Sequence, residues 1–139
     1  MDPEILEVIK QMSTSPGASE LTINNVTQSL SFILPEQYTN FIKFSNGAGG
    51  FIGEDKYLII YPIEDLSSAN KELPVKDLSR QLGISLLIIG SDGSDLYYGF
   101  KQNSEGTTVV SVDFYESATE SIDFHANTFN EFLKLLSQG

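Results

Sequence analysis

The sequence predicts an α+β fold, an antiparallel β-meander sheet packed with N-terminal helices and a C-terminal helix. Three observations predict it. Residues 84–124 carry short apolar or alternating runs separated by Gly-, Asp-, Asn- and Ser-rich turns. Residues up to 46 and from 128 onward carry apolar side chains at helical spacing. The two patterns are segregated along the chain, whereas a parallel α/β sheet would alternate them.

Taken in order, residues 2–12 read as a helix. Asp2 can cap it, Pro3 can open it, and Ile5, Val8, Ile9 and Met12 repeat at helical spacing. Ser13-Thr14-Ser15-Pro16-Gly17 then breaks the pattern. Residues 22–31 form a second short helix, capped by Thr22, with Ile23, Val26 and Leu30 inward; Asn24, Asn25, Thr27 and Ser29 weaken it. Leu34–Asn46 is a third helix with Pro35 at its first position. Tyr38, Phe41, Ile42 and Ser45 share a face, and Gly47 suits the left-handed conformation that closes a helix. Residues 51–53 and 57–61 are strands around a turn at 54–56. Pro62 starts a helical turn, and residues 67–83 are a loop with one or two helical turns, interrupted by Pro74 and ended by Gly83.

The second half alternates more regularly. Ile84–Ile89 is nearly continuous apolar sequence and reads as a buried central strand. Strands at 96–101, 107–113 and 121–124 follow, with turns at 90–95 and 102–106. Residues 128–137 form a closing helix with Phe129, Phe132, Leu133 and Leu136 on its inner face.

At 139 residues the chain suits one domain, residues 1–139, able to bury about two-thirds of the surface its unfolded chain exposes. It has no cysteine, which removes disulfides, thiolate nucleophiles and cysteine-bearing zinc sites together. Met1-Asp2-Pro3-Glu4 has no signal-peptide character, and the longest aliphatic run, Leu86–Ile89, is far too short to cross a bilayer. A soluble cytoplasmic protein is expected. Nineteen acidic residues against eight basic ones give a net charge of −11, spread over both halves of the chain. Nucleic acid and anionic membrane surfaces would be repelled, whereas a basic protein partner would be attracted and its encounter steered.

No catalytic, metal or cofactor motif emerges. Ser91-Asp92-Gly93-Ser94-Asp95 departs from the EF-hand pattern at Ser94 and fits a tight Asp-Gly hairpin turn. Gly47-Ala48-Gly49-Gly50 lacks the Lys-Ser/Thr of a P-loop and the preceding strand of a dinucleotide site. His125, the one histidine, has no nucleophile elbow to serve and fits a packing or capping role. The adjacent pairs Glu54/Asp55 and Glu64/Asp65 read as solvated turns or helix starts rather than carboxyls facing across a cleft. Between Lys101 and Lys134 there is no Lys or Arg, yet Glu105, Asp113, Glu116, Glu120, Asp123 and Glu131 fall there. Of the neighbours Tyr97 and Tyr98, which point to opposite sides of a strand, one should stand on the outer face as an interface anchor.

Three stretches in sequence carry a resemblance. They are Leu34-Pro35-Glu36-Gln37-Tyr38 through Asn46-Gly47-Ala48-Gly49-Gly50, then Leu87-Ile88-Ile89-Gly90-Ser91-Asp92-Gly93-Ser94-Asp95-Leu96-Tyr97, then Ala126-Asn127-Thr128-Phe129-Asn130-Glu131-Phe132-Leu133. Together, from about residue 20 to the C-terminus, they resemble the SMI1/KNR4 (SUKH) superfamily. Most of its members are bacterial immunity proteins that neutralise polymorphic or contact-dependent toxins, often nucleases, by direct binding. A fungal branch acts in cell-wall synthesis and signalling. The resemblance implies a non-enzymatic antitoxin without cofactor that binds a cognate toxin, and the negative charge of the chain makes a basic toxin the expected partner. The runner-up is a regulatory or scaffold domain of the cell-wall-linked type, and a small hydrolase or metal-dependent enzyme using His125 or the Asp92 turn ranks last. The contact face expected from the charge pattern is acidic and tyrosine-bearing: Glu54, Asp55, Asp92, Asp95, Tyr98, Glu116 and Glu120.

Overall fold

A computed structural model describes residues 1–139. Seven strands lie in chain order, each antiparallel to the next: β1 (Ser13–Thr14), β2 (Ala48–Phe51), β3 (Tyr57–Ile60), β4 (Ser85–Ser91), β5 (Tyr97–Asn103), β6 (Gly106–Val112) and β7 (Ile122–Ala126). The helices are α1 (Pro3–Val8), α2 (Glu20–Leu30), α3 (Glu36–Phe44), α4 (Leu66–Glu72), α5 (Val75–Leu82) and α6 (Phe129–Ser137). The fold is α+β, a meander with helices on both faces.

Alternation along each strand builds two cores from one sheet. Leu87, Ile89, Tyr98, Phe100 and Val109 face α1, α3 and α6 and join Ile5, Tyr38, Phe41, Phe129 and Phe132 in the larger cluster. Leu86, Ile88, Val110 and Val112 face the other way and meet Val75 and Leu78 of α5. A strand covered on both faces has no polar side, which is why residues 84–89 are nearly continuous apolar sequence. Gly90 and Gly99 lie where backbones approach closely. A Cβ on Gly90 would sit 2.0 Å from the Ile59 carbonyl oxygen, and one on Gly99 would sit 2.3 Å from that of Leu87.

The β3–β4 ladder is short, joining Ile59 to Ser91 and Ile60 to Gly90. Beyond it the edge of β4 would be bare, and α4 fills the gap. The Asn70 amide donates to the Ile88 carbonyl at 2.9 Å, and its oxygen accepts from the Ile88 N–H at 2.8 Å. One side chain thus replaces a strand's backbone, satisfying groups whose burial without partners is costly.

Several elements differ from the sequence expectation. Ser13–Thr14 is not only a break but an edge strand against Gly49 and Ala48, and the strand expected at 51–53 instead spans Ala48–Phe51. Helix α3 ends at Phe44 with Ser45 extended, so Gly47 (φ +88°) does not close it. Gly47 instead bends the chain into β2, where a Cβ would press to 2.9 Å from the Ile60 oxygen and the Pro62 nitrogen. The buried Ser45 hydroxyl accepts from the Ser15 N–H at 3.0 Å and donates to the Gly47 carbonyl, tying β1 to this bend. Pro35 is the N-cap of α3 rather than its first residue. Helix α2 is capped by Ser19, whose hydroxyl accepts from the Thr22 N–H at 3.1 Å, so Thr22 is the recipient and not the cap. The expected loop at 67–83 is two helices separated by Leu73 and Pro74. Asp2 caps α1 as read, accepting from the Glu4 N–H at 2.9 Å, and Thr128 caps α6 by accepting from Glu131 at 3.1 Å.

Tyr38 lies edge-to-face against Phe100 and Phe129, with ring centroids 5.4 and 5.5 Å away. Its hydroxyl is buried with no protein partner, and burial holds the phenol far above its ordinary pKa. An unmade buried hydrogen bond is destabilising. Tyr38→Phe is therefore expected to raise unfolding stability by up to about 1 kcal/mol. The check is a urea melt whose midpoint rises at constant slope.

Candidate functional site

In an antiparallel meander every second connection returns to the same end of the sheet. Here the β2–β3 turn, the β4–β5 turn and the β6–β7 connection share one end. The register fixes this, since Phe51 pairs with Tyr57, Ser91 with Tyr97, Tyr97 with Val112 and Val112 with Ile122. These three connections carry Glu54 and Asp55, then Asp92 and Asp95, then Asp113, Glu116 and Glu120, with Lys56 their one cation. Glu54, Asp55, Asp95, Glu116 and Glu120 are exposed, and Asp92 and Asp113 are half-buried. At about 4.8 Å per strand, the six strands β2–β7 spread these groups over roughly 24 Å.

Two of the carboxylates have structural work. Asp92 accepts from the Ser94 N–H at 2.8 Å and the Leu96 N–H at 3.3 Å, while the Ser91 hydroxyl accepts from Gly93 at 3.1 Å. With Gly93 at φ +84°, this is the Asp-Gly turn expected of the motif. Asp113 accepts from the Tyr115 N–H at 3.0 Å and shapes the third connection. No group of three His, Asp or Glu side chains is placed to hold a metal ion.

Tyr98 is not where the sequence reading put it. Its side chain is only 4% exposed, inside the larger core, with its ring 5.0 Å from Phe132 and 5.7 Å from His125. Burial, with Asp92 nearby adding to it, raises the phenol pKa. Tyr97, on the opposite face, is half-buried against Phe114 at 5.7 Å. Alternation correctly separates the two tyrosines, but helices cover both faces, so neither stands free. The exposed aromatics at this end are Phe51, Tyr57 and Tyr115. Sequence reasoning passed over Phe51 and Tyr57, although they flank the 52–56 turn symmetrically and are directly paired.

His125 lies on the edge strand β7, half-buried against Tyr98 and Phe132. It lines none of the five principal cavities, and no hydrogen bond joins its ring to a serine or a carboxylate. Burial lowers its pKa, opposed by the Asp123 charge and reinforced by Lys56. A lowered histidine pKa means the unfolded chain takes up the proton first as pH falls. The neutral ring's contribution to stability is then present above the ordinary value of about 6.5 and is lost as pH drops below it. Between about pH 7 and pH 5 the wild-type thermal midpoint should therefore fall more steeply than that of His125→Gln. Parallel curves for the two proteins would contradict this role.

A small cavity of about 150 Å³ lies where α3 and α6 begin, walled in part by Pro35, Gln37, Phe100, Val109 and Phe129. The Gln37 side-chain oxygen accepts from the Asn130 N–H at 2.9 Å, so an α3 side chain occupies a donor at the start of α6. No helix is long and apolar enough to cross a membrane. The family model described as SMI1 / KNR4 family (SUKH-1) matches residues 17–135. No curated protein matches the chain.

Proposed function

The chain belongs to the SMI1/KNR4 (SUKH-1) family, which is associated with immunity proteins of toxin systems, and from this premise we propose that it is itself an immunity protein. In this reading it is a non-enzymatic cytoplasmic domain that binds a basic cognate toxin, a nuclease being the natural class, and neutralises it by contact. A nuclease must attract phosphate, so its active face is cationic. A rigid anionic surface competes for that face and excludes substrate by occupying it.

The observation that carries this reading is the convergence of three acidic connections at one end of the sheet, with a single lysine among them. A surface of one sign speeds the encounter with its opposite and disfavours partners of like charge. Glu54, Asp55, Asp95, Glu116 and Glu120 are the proposed contacts, with Asp92 holding the central turn in shape. Binding therefore needs no reaction chemistry from this chain.

The test is to mix the purified protein with the toxin encoded beside its gene and to co-express the two in cells. A stoichiometric complex and protected growth are expected. Absence of both removes the reading.

A further inference from the structure

Phe51 and Tyr57 sit opposite one another on β2 and β3, 53% and 42% exposed, as the aromatic pair nearest the 52–56 turn. Their ring centroids are 5.2 Å apart and their planes cross at 88°. In such an edge-to-face pair, one ring offers its edge to its neighbour and keeps its own faces free. Leu58 and Ile60 point into the larger core, so the pair lies on the opposite face of the sheet. The neighbouring turn closes against it, since a Cβ on Gly93 would lie 3.2 Å from Tyr57 Cδ1. Glu54 and Asp55 lie in the turn that joins the two rings, with Lys56 as its one cation, and the turn bearing Asp92 and Asp95 follows across the sheet.

We propose that the Phe51–Tyr57 pair, framed by these carboxylates, is the receptor for an arginine side chain presented by a basic protein partner. This deepens, and rests on, the reading of the acidic end as the docking face. Open aromatic faces attract cations through the ring quadrupole. Of the two biological cations, the guanidinium is planar, less strongly hydrated and able to stack while its N–H groups reach carboxylates, whereas an ammonium is a compact, well-hydrated point charge. Phosphate-bearing partners are repelled by the same frame. A second copy of the chain would bring a like-charged frame against it, with −11 on each molecule.

The experiment compares binding of labelled oligo-arginine and oligo-lysine peptides of equal length, which carry the same charge. The wild-type protein should bind oligo-arginine about ten-fold more tightly. Phe51→Leu/Tyr57→Leu keeps apolar bulk at both exposed positions but removes the rings. Its preference should shrink to within about two-fold, with oligo-lysine binding nearly unchanged. Equal wild-type affinities for the two peptides would overturn the proposal. So would a preference that survives in the double variant, since the carboxylates alone would then be its source. The outcome is separable from that of the toxin experiment. Arginine preference without a toxin complex removes the immunity reading and leaves the receptor standing, and a toxin complex without arginine preference does the reverse.

Discussion

Replacing Glu54, Asp95, Glu116 and Glu120 together by lysine is expected to slow association with the proposed toxin partner by about 100-fold at low salt. All four side chains are exposed on connections at the same end of the sheet, so the fold should tolerate the change. Asp92 and Asp113 are left in place because their carboxylates hold backbone N–H groups of their own turns. Dissociation should change less than association, since exposed charges act mainly on the encounter. The effect should also shrink as salt shortens the Debye length to less than about 8 Å. A control with the same change in net charge, Glu7, Glu36, Glu72 and Glu105 to lysine, places the new cations elsewhere on the exposed surface. If the control slows association equally, net charge rather than this end of the sheet governs capture. Stopped-flow kinetics across a salt series reads both proteins.

Phe129→Ala should remove about 3–5 kcal/mol of stability. Phe129 opens α6 just after the Thr128 cap and is only 1% exposed. Its ring lies 5.5 Å from both Tyr38 and Phe41, 6.2 Å from Phe100 and 6.3 Å from Phe132. It therefore joins α3, β5 and α6 at one point. Four partners on three elements cannot all move inward to fill the space, so most of the cavity should persist. A small domain holds roughly 5–15 kcal/mol in all, so this one truncation removes a large share. Denaturant unfolding measures it. A loss under about 1 kcal/mol would show that the site collapses and that the aromatic cluster is not the centre of the core. In cells the variant should lose the proposed protection through lower abundance while the proposed docking surface stays chemically intact.

Much of the fold was legible because its signals are local. Asp2 and Pro3 announce α1, Thr128 announces α6, and the Asp92-Gly93 turn with its flanking runs announces the hairpin of β4 and β5. The misread elements lack a local signal. β1 is two residues long, and β2 contains Gly49 and Gly50, which have no side chains to alternate; β2 is a strand because it pairs with β3 along its whole length, and β1 because it pairs with the distant β2. Helices α4 and α5 are short and joined at Leu73-Pro74, and they are held by packing and by Asn70 on the edge of β4 rather than by propensity. The acidic residues of the candidate site were each visible in the sequence, but their convergence follows from the parity of the meander, which places every second connection together.

By itself the sequence determined the family signature, the α+β class, the charge and the succession of strands in the second half of the meander. It also determined that Tyr97 and Tyr98 face apart, because backbone geometry alone sets that alternation. The tertiary structure decided which faces are covered. It buried Tyr98 under α6, left Phe51 and Tyr57 in solvent and drew three acidic connections to one end. Periodicity records the direction in which a side chain points, whereas exposure depends on what distant segment packs there, and no local pattern encodes that.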